Sequence, residues 1–139
     1  MPRYMAIVKA SEESESGRLP TEQELTEMGA FNDELVKAGI MLAGEGLLAS
    51  STGARIRYDK GSSTVVDGPF AETKELVAGF WILQTRSLEE AVEWLKKAPF
   101  ADGEVEIRQV AEADDFGDAF TPELREQEER LRAEADQNQ

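Results

Sequence analysis

The side chains that could move a proton or hold an anion gather in one short stretch. Asp67 opens the tetrapeptide Asp67-Gly68-Pro69-Phe70, a sharp reversal in which aspartate bonds neighbouring amides and proline fixes the backbone after a glycine of unusual torsions. If its carboxyl faces a cleft between the sheet and the first helix, partial burial would raise its pKa toward neutrality and suit it to proton transfer. The plainer use of the same residue is to pin the turn, and a third is contact with a ligand without any proton moving. Glu72, Lys74 and Glu75 follow within reach, and the Lys74 ammonium could hold a carboxylate group, although such charged runs are usually solvated. Arg55 and Arg57 fall on one face of a strand and could bind an anion or pair with some of the chain's 29 carboxylates. Trp81, with Tyr4 and Phe80, would line an apolar cleft or belong to the core.

What is missing narrows the chemistry further. The chain has no histidine and no cysteine, which excludes serine–histidine hydrolysis, imidazole proton shuttles, thiolate nucleophiles, disulfides and histidine- or cysteine-ligated metals. Carboxylates alone could hold magnesium or calcium, but none has a recognisable ligand spacing, so no metal and no cofactor are expected. Gly44-Glu45-Gly46-Leu47-Leu48-Ala49 fits the dinucleotide-binding pattern in letters only. It follows a helix and leads into a Ser-Thr-Gly turn, whereas that fingerprint must follow a strand and open a helix. A bulged or kinked strand accounts for these glycines better.

The 139 residues, 40% hydrophobic and 32% charged, suit one soluble domain. The net charge of −14 argues against nucleic acid or an anionic membrane as partner. Half of that charge lies in residues 112–139, where ten carboxylates face three arginines. The N-terminal segment is too short in apolar residues for a secretory leader or a membrane span, and a cytoplasmic location fits.

The elements that must position these residues are readable from periodicity. Arg3 to Lys9 predicts a strand, and Ala10 to Pro20 a polar loop able to act as a mobile lid. Thr21 and Glu24 form a capping box, and apolar residues then recur at helical spacing until Gly39. Ile40 to Leu48 is an apolar stretch, Ala54 to Asp59 and Thr64 to Val66 read as a hairpin, and Leu76 to Thr85 as the strongest strand. A second helix runs from Leu88 to Lys97, and Val105 to Ala111 predicts a last strand. This order implies a ferredoxin-like antiparallel sheet with two helices on one face. The Leu76–Thr85 strand is apolar on both faces, so the uncovered face needs a partner, most economically a second copy of the chain in a homodimer. Residues 1–111 would make this domain. Residues 112–139 would make an acidic extension with a helix at about 121–135 capped by Thr121 and Pro122, whose Leu124 and Leu131 form too thin a stripe for an isolated helix. Such a helix could meet a protein partner, and Ala135 to Gln139 would be disordered.

Asp67-Gly68-Pro69-Phe70 followed by Ala71-Glu72-Thr73-Lys74-Glu75 resembles the hallmark of the DGPF branch of the YCII-related family. The resemblance extends over roughly Pro2 to Ala111, through Gly44-Glu45-Gly46-Leu47, Ala78-Gly79-Phe80-Trp81 and Glu106-Ile107-Arg108-Gln109-Val110. It implies a dimeric α+β barrel of two ferredoxin-like subunits. For function it implies either a protein acting on lactones or small organic acids, or a non-enzymatic sensing or interaction module linked to sigma-factor regulation. Members proposed to be enzymes pair a histidine with an aspartate. With no histidine here, only Asp67 carries over, and enzyme and binding module both stay open.

Overall fold

The computed structural model describes all 139 residues. Residues 1–109 form one compact unit and residues 110–139 a second. In the first unit, β1 (Arg3–Lys9), β2 (Met41–Gly46), β5 (Val77–Gln84) and β6 (Val105–Gln109) make an antiparallel sheet in the order β2-β5-β1-β6. Two strands, β3 (Ala54–Asp59) and β4 (Ser62–Asp67), pair only with each other. The helices of this unit are α1 (Glu12–Glu15), α2 (Glu22–Lys37) and α3 (Leu88–Leu95). The strand order and the helix-bearing crossovers are those of a ferredoxin-like α+β fold.

Strand alternation decides the core. Tyr4 and Ala6 of β1 and Trp81 and Leu83 of β5 point to one face, where they are buried. Phe31 and Leu35 of α2 close over them, and Trp94 and Leu95 of α3 pack against the same cluster, so both long helices cover one face. The alternate residues Met5, Ile7, Phe80 and Ile82 form the other face, apolar and only half-buried.

Capping explains where the helices start. Thr21 accepts from the amide of Glu24 at 3.1 Å and Glu24 accepts from the amide of Thr21 at 3.2 Å, the reciprocal box expected from the sequence. Within the expected 10–20 loop stands a single helical turn, α1, because Ser11 and Ser14 make a second reciprocal box at 2.9 and 3.1 Å. Serine at the third position in place of Glu or Gln concealed that cap. The irregularity expected at Gly44 and Gly46 lies instead between Met41 and Ala43, where the register on β5 shifts.

The β3–β4 hairpin turns through Lys60 and Gly61, both with positive φ, the two-residue connection whose twist suits a hairpin. Its pairs Ile56↔Val65 and Tyr58↔Ser63 share one face, and Tyr58 is 79% exposed.

The second unit contains 3-10 turns over Ala113–Ala119, interrupted at Gly117, and α4 (Pro122–Asp136). Thr121 caps α4, with proline in the first turn. The Phe116 and Phe120 rings lie 5.7 Å apart, and Arg125 reaches Asp114 at 3.2 Å. The helix runs through Ala135 and Asp136, residues expected to be disordered, and pairs such as Glu128–Arg132 at 2.7 Å support its later turns. No helix of the chain is long and apolar enough to cross a membrane.

Candidate functional site

Trp81 borders a cleft between β5 and α2. Its place on β5 turns the indole toward α2, where it meets Phe31 edge to face at 5.7 Å and Phe100 at 6.2 Å. The indole Nε1 donates to Oδ1 of Asn32 at 2.9 Å. Gly44 stands opposite Trp81 in the ladder, and a methyl there would come within 2.9 Å of the indole Cδ1 and of the Met41 Cε. The missing side chain is what admits the ring. The resulting cleft, of about 310 Å³, is bounded by Trp81, Asn32, Met28, Val8, Gly44 and Phe100 among others.

A second groove of about 540 Å³ shares Val8, Ala78 and Phe100 with the first, so the two adjoin. One wall is the segment carrying Ala10, Ser11, Ser14 and Arg18, and its cations are engaged. Lys9 pairs with Glu106 at 3.4 Å and Arg18 with Glu24 at 2.7 Å. The hydrogen bond from Arg18, with those from Thr21, lowers the Glu24 carboxyl to about 2, and the same pairing raises Arg18.

That wall is tied to the Asp67–Phe70 turn through Ser50. Ser50 donates its amide to Glu15 at 3.0 Å and its hydroxyl to the same carboxylate at 2.5 Å, while its hydroxyl accepts from the amide of Phe70 at 3.1 Å. The Gly68 amide donates to the Gly53 carbonyl at 3.0 Å, and the Gly68–Pro69 bond is cis. A methyl on Gly68 would collide with the carbonyl oxygen of Ser50. Glycine is therefore required there for space, in place of the unusual torsion anticipated from sequence, since its φ is not positive.

Of the aromatic residues singled out from sequence, Trp81 and Phe80 border the cleft and Tyr4 is buried in the core, while none of the charged candidates borders it. Asp67 was expected in a cleft between the sheet and the first helix. It stands exposed at the end of β4, and its carboxylate makes no hydrogen bond or ion pair, neither enclosed by a pocket nor pinning its own turn. The physical reason is topological: β4 pairs only with β3, in a separate two-stranded sheet, and does not belong to the sheet that the helices cover. Asp67 pairs with Ala54 and Val66 with Arg55, so alternation puts Asp67 on the hairpin face opposite Arg55 and Arg57. The Arg55 guanidinium sits over the Phe70 ring at 3.9 Å, in place of the carboxylate partner expected for it. Arg57 is exposed without an ion pair, and so is Lys74, in the 3-10 turn Thr73–Glu75. A hydrogen bond to Glu72 and the repulsion of its charge raise the Glu75 carboxyl, opposed by Arg55 and Lys9. No group of three or more acidic side chains converges closely enough to hold a metal ion.

Three residues of this arrangement escaped the sequence reading. Asn32 follows Met28 by four positions and precedes Leu35 by three, which places a polar residue on the buried stripe of α2 and could have flagged it. Glu15 and Ser50 sit in turns far apart in sequence, and no local pattern announces their contact.

With this fold and these residues in place, the class is defined. A YCII-related domain model matches residues 2–114, and the chain belongs to that family. It is also similar to an uncharacterised protein of Rhizobium meliloti (strain 1021), 33% identical over 93 residues, which cover 65% of this chain and 75% of the relative.

Proposed function

We propose that the chain is a small-molecule-binding subunit of the DGPF branch, acting as a homodimer, whose ligand is a mainly apolar molecule of the organic-acid or lactone class seated against Trp81. The observation that carries this reading is the cleft of about 310 Å³ beside Trp81, with Phe100 and Met28 among its walls. Its size and its apolar walls with few polar groups suit a small organic ligand. Conversion of that ligand would be a further step. It would need a proton-transfer group, and Asp67 can serve only if the second subunit encloses it.

The dimer is supported by the sheet face away from the helices, where Met5, Ile7, Phe80 and Ile82 are half-exposed. Light scattering at micromolar concentration should give twice the 15.4 kDa chain mass, and a monomer would overturn this part.

Gly46 supplies the test of the cleft. It shares a strand face with Gly44, it lines the cleft, and a methyl on it would meet nothing within 4 Å. Gly46→Leu should therefore fill the cleft at little cost to the fold. Thermal unfolding against a panel of lactones and aromatic acids should raise the wild-type midpoint, by about 2.7 kcal/mol of stabilisation at 100 times the dissociation constant, and leave Gly46→Leu unmoved. Equal shifts in both proteins would place the ligand elsewhere.

A second reading, a protein-interaction module, draws on α4, where Leu124 and Leu131 are 43% and 52% exposed on an otherwise acidic helix. It is the reading under which a sigma-factor link would be sought. A Leu124→Ser, Leu131→Ser variant separates the two, because ligand-induced stabilisation should survive it unchanged.

A further inference from the structure

For a ligand seated against Trp81, the bond between Trp81 and Asn32 is more selective than the shape of the cleft. An indole N–H can only donate, so the atom of Asn32 facing it at 2.9 Å must be the carbonyl oxygen. The orientation of the amide is thereby settled by chemistry. The amide nitrogen Nδ2 makes no hydrogen bond within the subunit, and no buried side-chain polar atom is left without a partner, so Nδ2 is open to solvent. Asn32 lines the cleft together with Val8, Met28, Ala78, Trp81 and Phe100, and Nδ2 carries the two N–H donors its side chain has free. No lysine or arginine lines the cleft, and Glu45, its one charged residue, stands opposite Phe80 in the ladder, so alternation turns its carboxylate to the other face of the sheet. A carboxylate ligand there would find no countercation, whereas a neutral carbonyl oxygen would meet a donor.

We propose, on the basis of the ligand's proposed seat in this cleft, that Asn32 is its polar anchor and that the ligand is a neutral molecule carrying a carbonyl oxygen, bound with that oxygen on Nδ2. A lactone is then taken in preference to the corresponding ring-opened acid. Trp81 is both a contact surface and the positioning residue that presents the donor.

The test titrates matched compounds into the intact ¹⁵N-labelled chain: phthalide, its hydrocarbon counterpart indane, and its ring-opened acid 2-(hydroxymethyl)benzoate. The Asn32 side-chain amide and Trp81 indole N–H resonances report the cleft directly. Phthalide should shift both and bind about tenfold or more tightly than the other two, the discrimination expected of one hydrogen bond in a desolvated site. Asn32→Asp keeps an oxygen acceptor for the indole and replaces the donor by an acceptor. It should leave the Trp81 N–H signal in place and abolish the preference for phthalide. The wild-type comparison needs no variant, and Asn32→Ala, which removes the donor altogether, gives a second one should the aspartate unfold the chain. Equal binding of phthalide and indane, or a preference that survives both substitutions, would overturn the anchor and leave the cleft standing. Absence of any shift at Trp81 with all three would overturn the cleft reading and the anchor together.

Discussion

Glu15 accepts two hydrogen bonds from Ser50, one from the amide at 3.0 Å and one from the hydroxyl at 2.5 Å. These residues belong to the α1 turn and to the 3-10 turn Ser50–Thr52, and the hydroxyl that donates to Glu15 also accepts from Phe70. The wall of the second groove is thus latched to the Asp67–Phe70 turn through one serine. Bonds to an ionised partner are worth about 1.5–3 kcal/mol, and Glu15→Ala should lose about that much stability. The local effect should be larger than the global one, because the 10–20 segment has little else buried. Trypsin cleavage after the exposed Arg18 is the measurement: it should accelerate in Glu15→Ala and in Ser50→Ala, and unchanged rates would show the latch to be incidental.

Gly68 makes the complementary prediction. A methyl there meets the Ser50 carbonyl, a backbone atom that no rotamer change can move aside. Gly68→Ala should cost about 1–3 kcal/mol, the usual range for overpacking. Gly46→Ala, where a methyl meets nothing within 4 Å, should stay close to wild type. Urea unfolding of the two variants side by side checks the difference, and equal midpoints would remove the steric account of this glycine.

The same contacts show how far sequence reading reaches. Elements were legible where their signals are local: the Thr21–Glu24 box, the hairpin from Ala54 to Val66, the two-sided apolar strand holding Trp81, and Thr121 with Pro122 at α4. The ferredoxin-like order followed from them. The site did not, because it is assembled by contacts between distant segments: Asn32 with Trp81, and Glu15 with Ser50 and Phe70. Asp67 and Arg55 were each singled out by residue type, which says nothing of the faces they occupy. The pairing of Asp67 with Ala54 puts them on opposite hairpin faces, and only the register shows that.

Glu72 and Glu75 give a pH-dependent prediction close to that turn. The hydrogen bond to Glu72 and its repulsion raise Glu75, so the fold favours the protonated carboxyl. A raised folded-state pKa contributes stability below the unfolded value of 4.5, lost as pH rises through the folded value. At pH 7 the pair therefore works against the fold. Glu75→Gln, which keeps a donor for Glu72 without the charge, should melt slightly higher than wild type at pH 7, and the gain should vanish at and below pH 4.5. A gain that persists at low pH would point to packing as its source.

Glu24 carries the opposite sign. Its carboxyl accepts from the Thr21 amide at 3.2 Å and from Arg18 at 2.7 Å, and the Arg18 bond is the largest cause that lowers it to about 2. A depressed folded-state pKa contributes stability above the unfolded value of 4.5, and that contribution is lost as pH falls through about 2. Glu24→Gln retains an acceptor for the Thr21 amide but loses the charge facing Arg18. It should melt below wild type at pH 7, by a small margin because both side chains are about half exposed and salt screens them. The margin should shrink between pH 4.5 and about 2, and it should also shrink in molar salt at neutral pH. Glu24→Ala, which removes the acceptor as well, should melt lower than Glu24→Gln at every pH where the chain folds. Thermal melts of the three proteins across that range measure both effects, and identical curves for Gln and wild type would assign the whole contribution of Glu24 to the capping box.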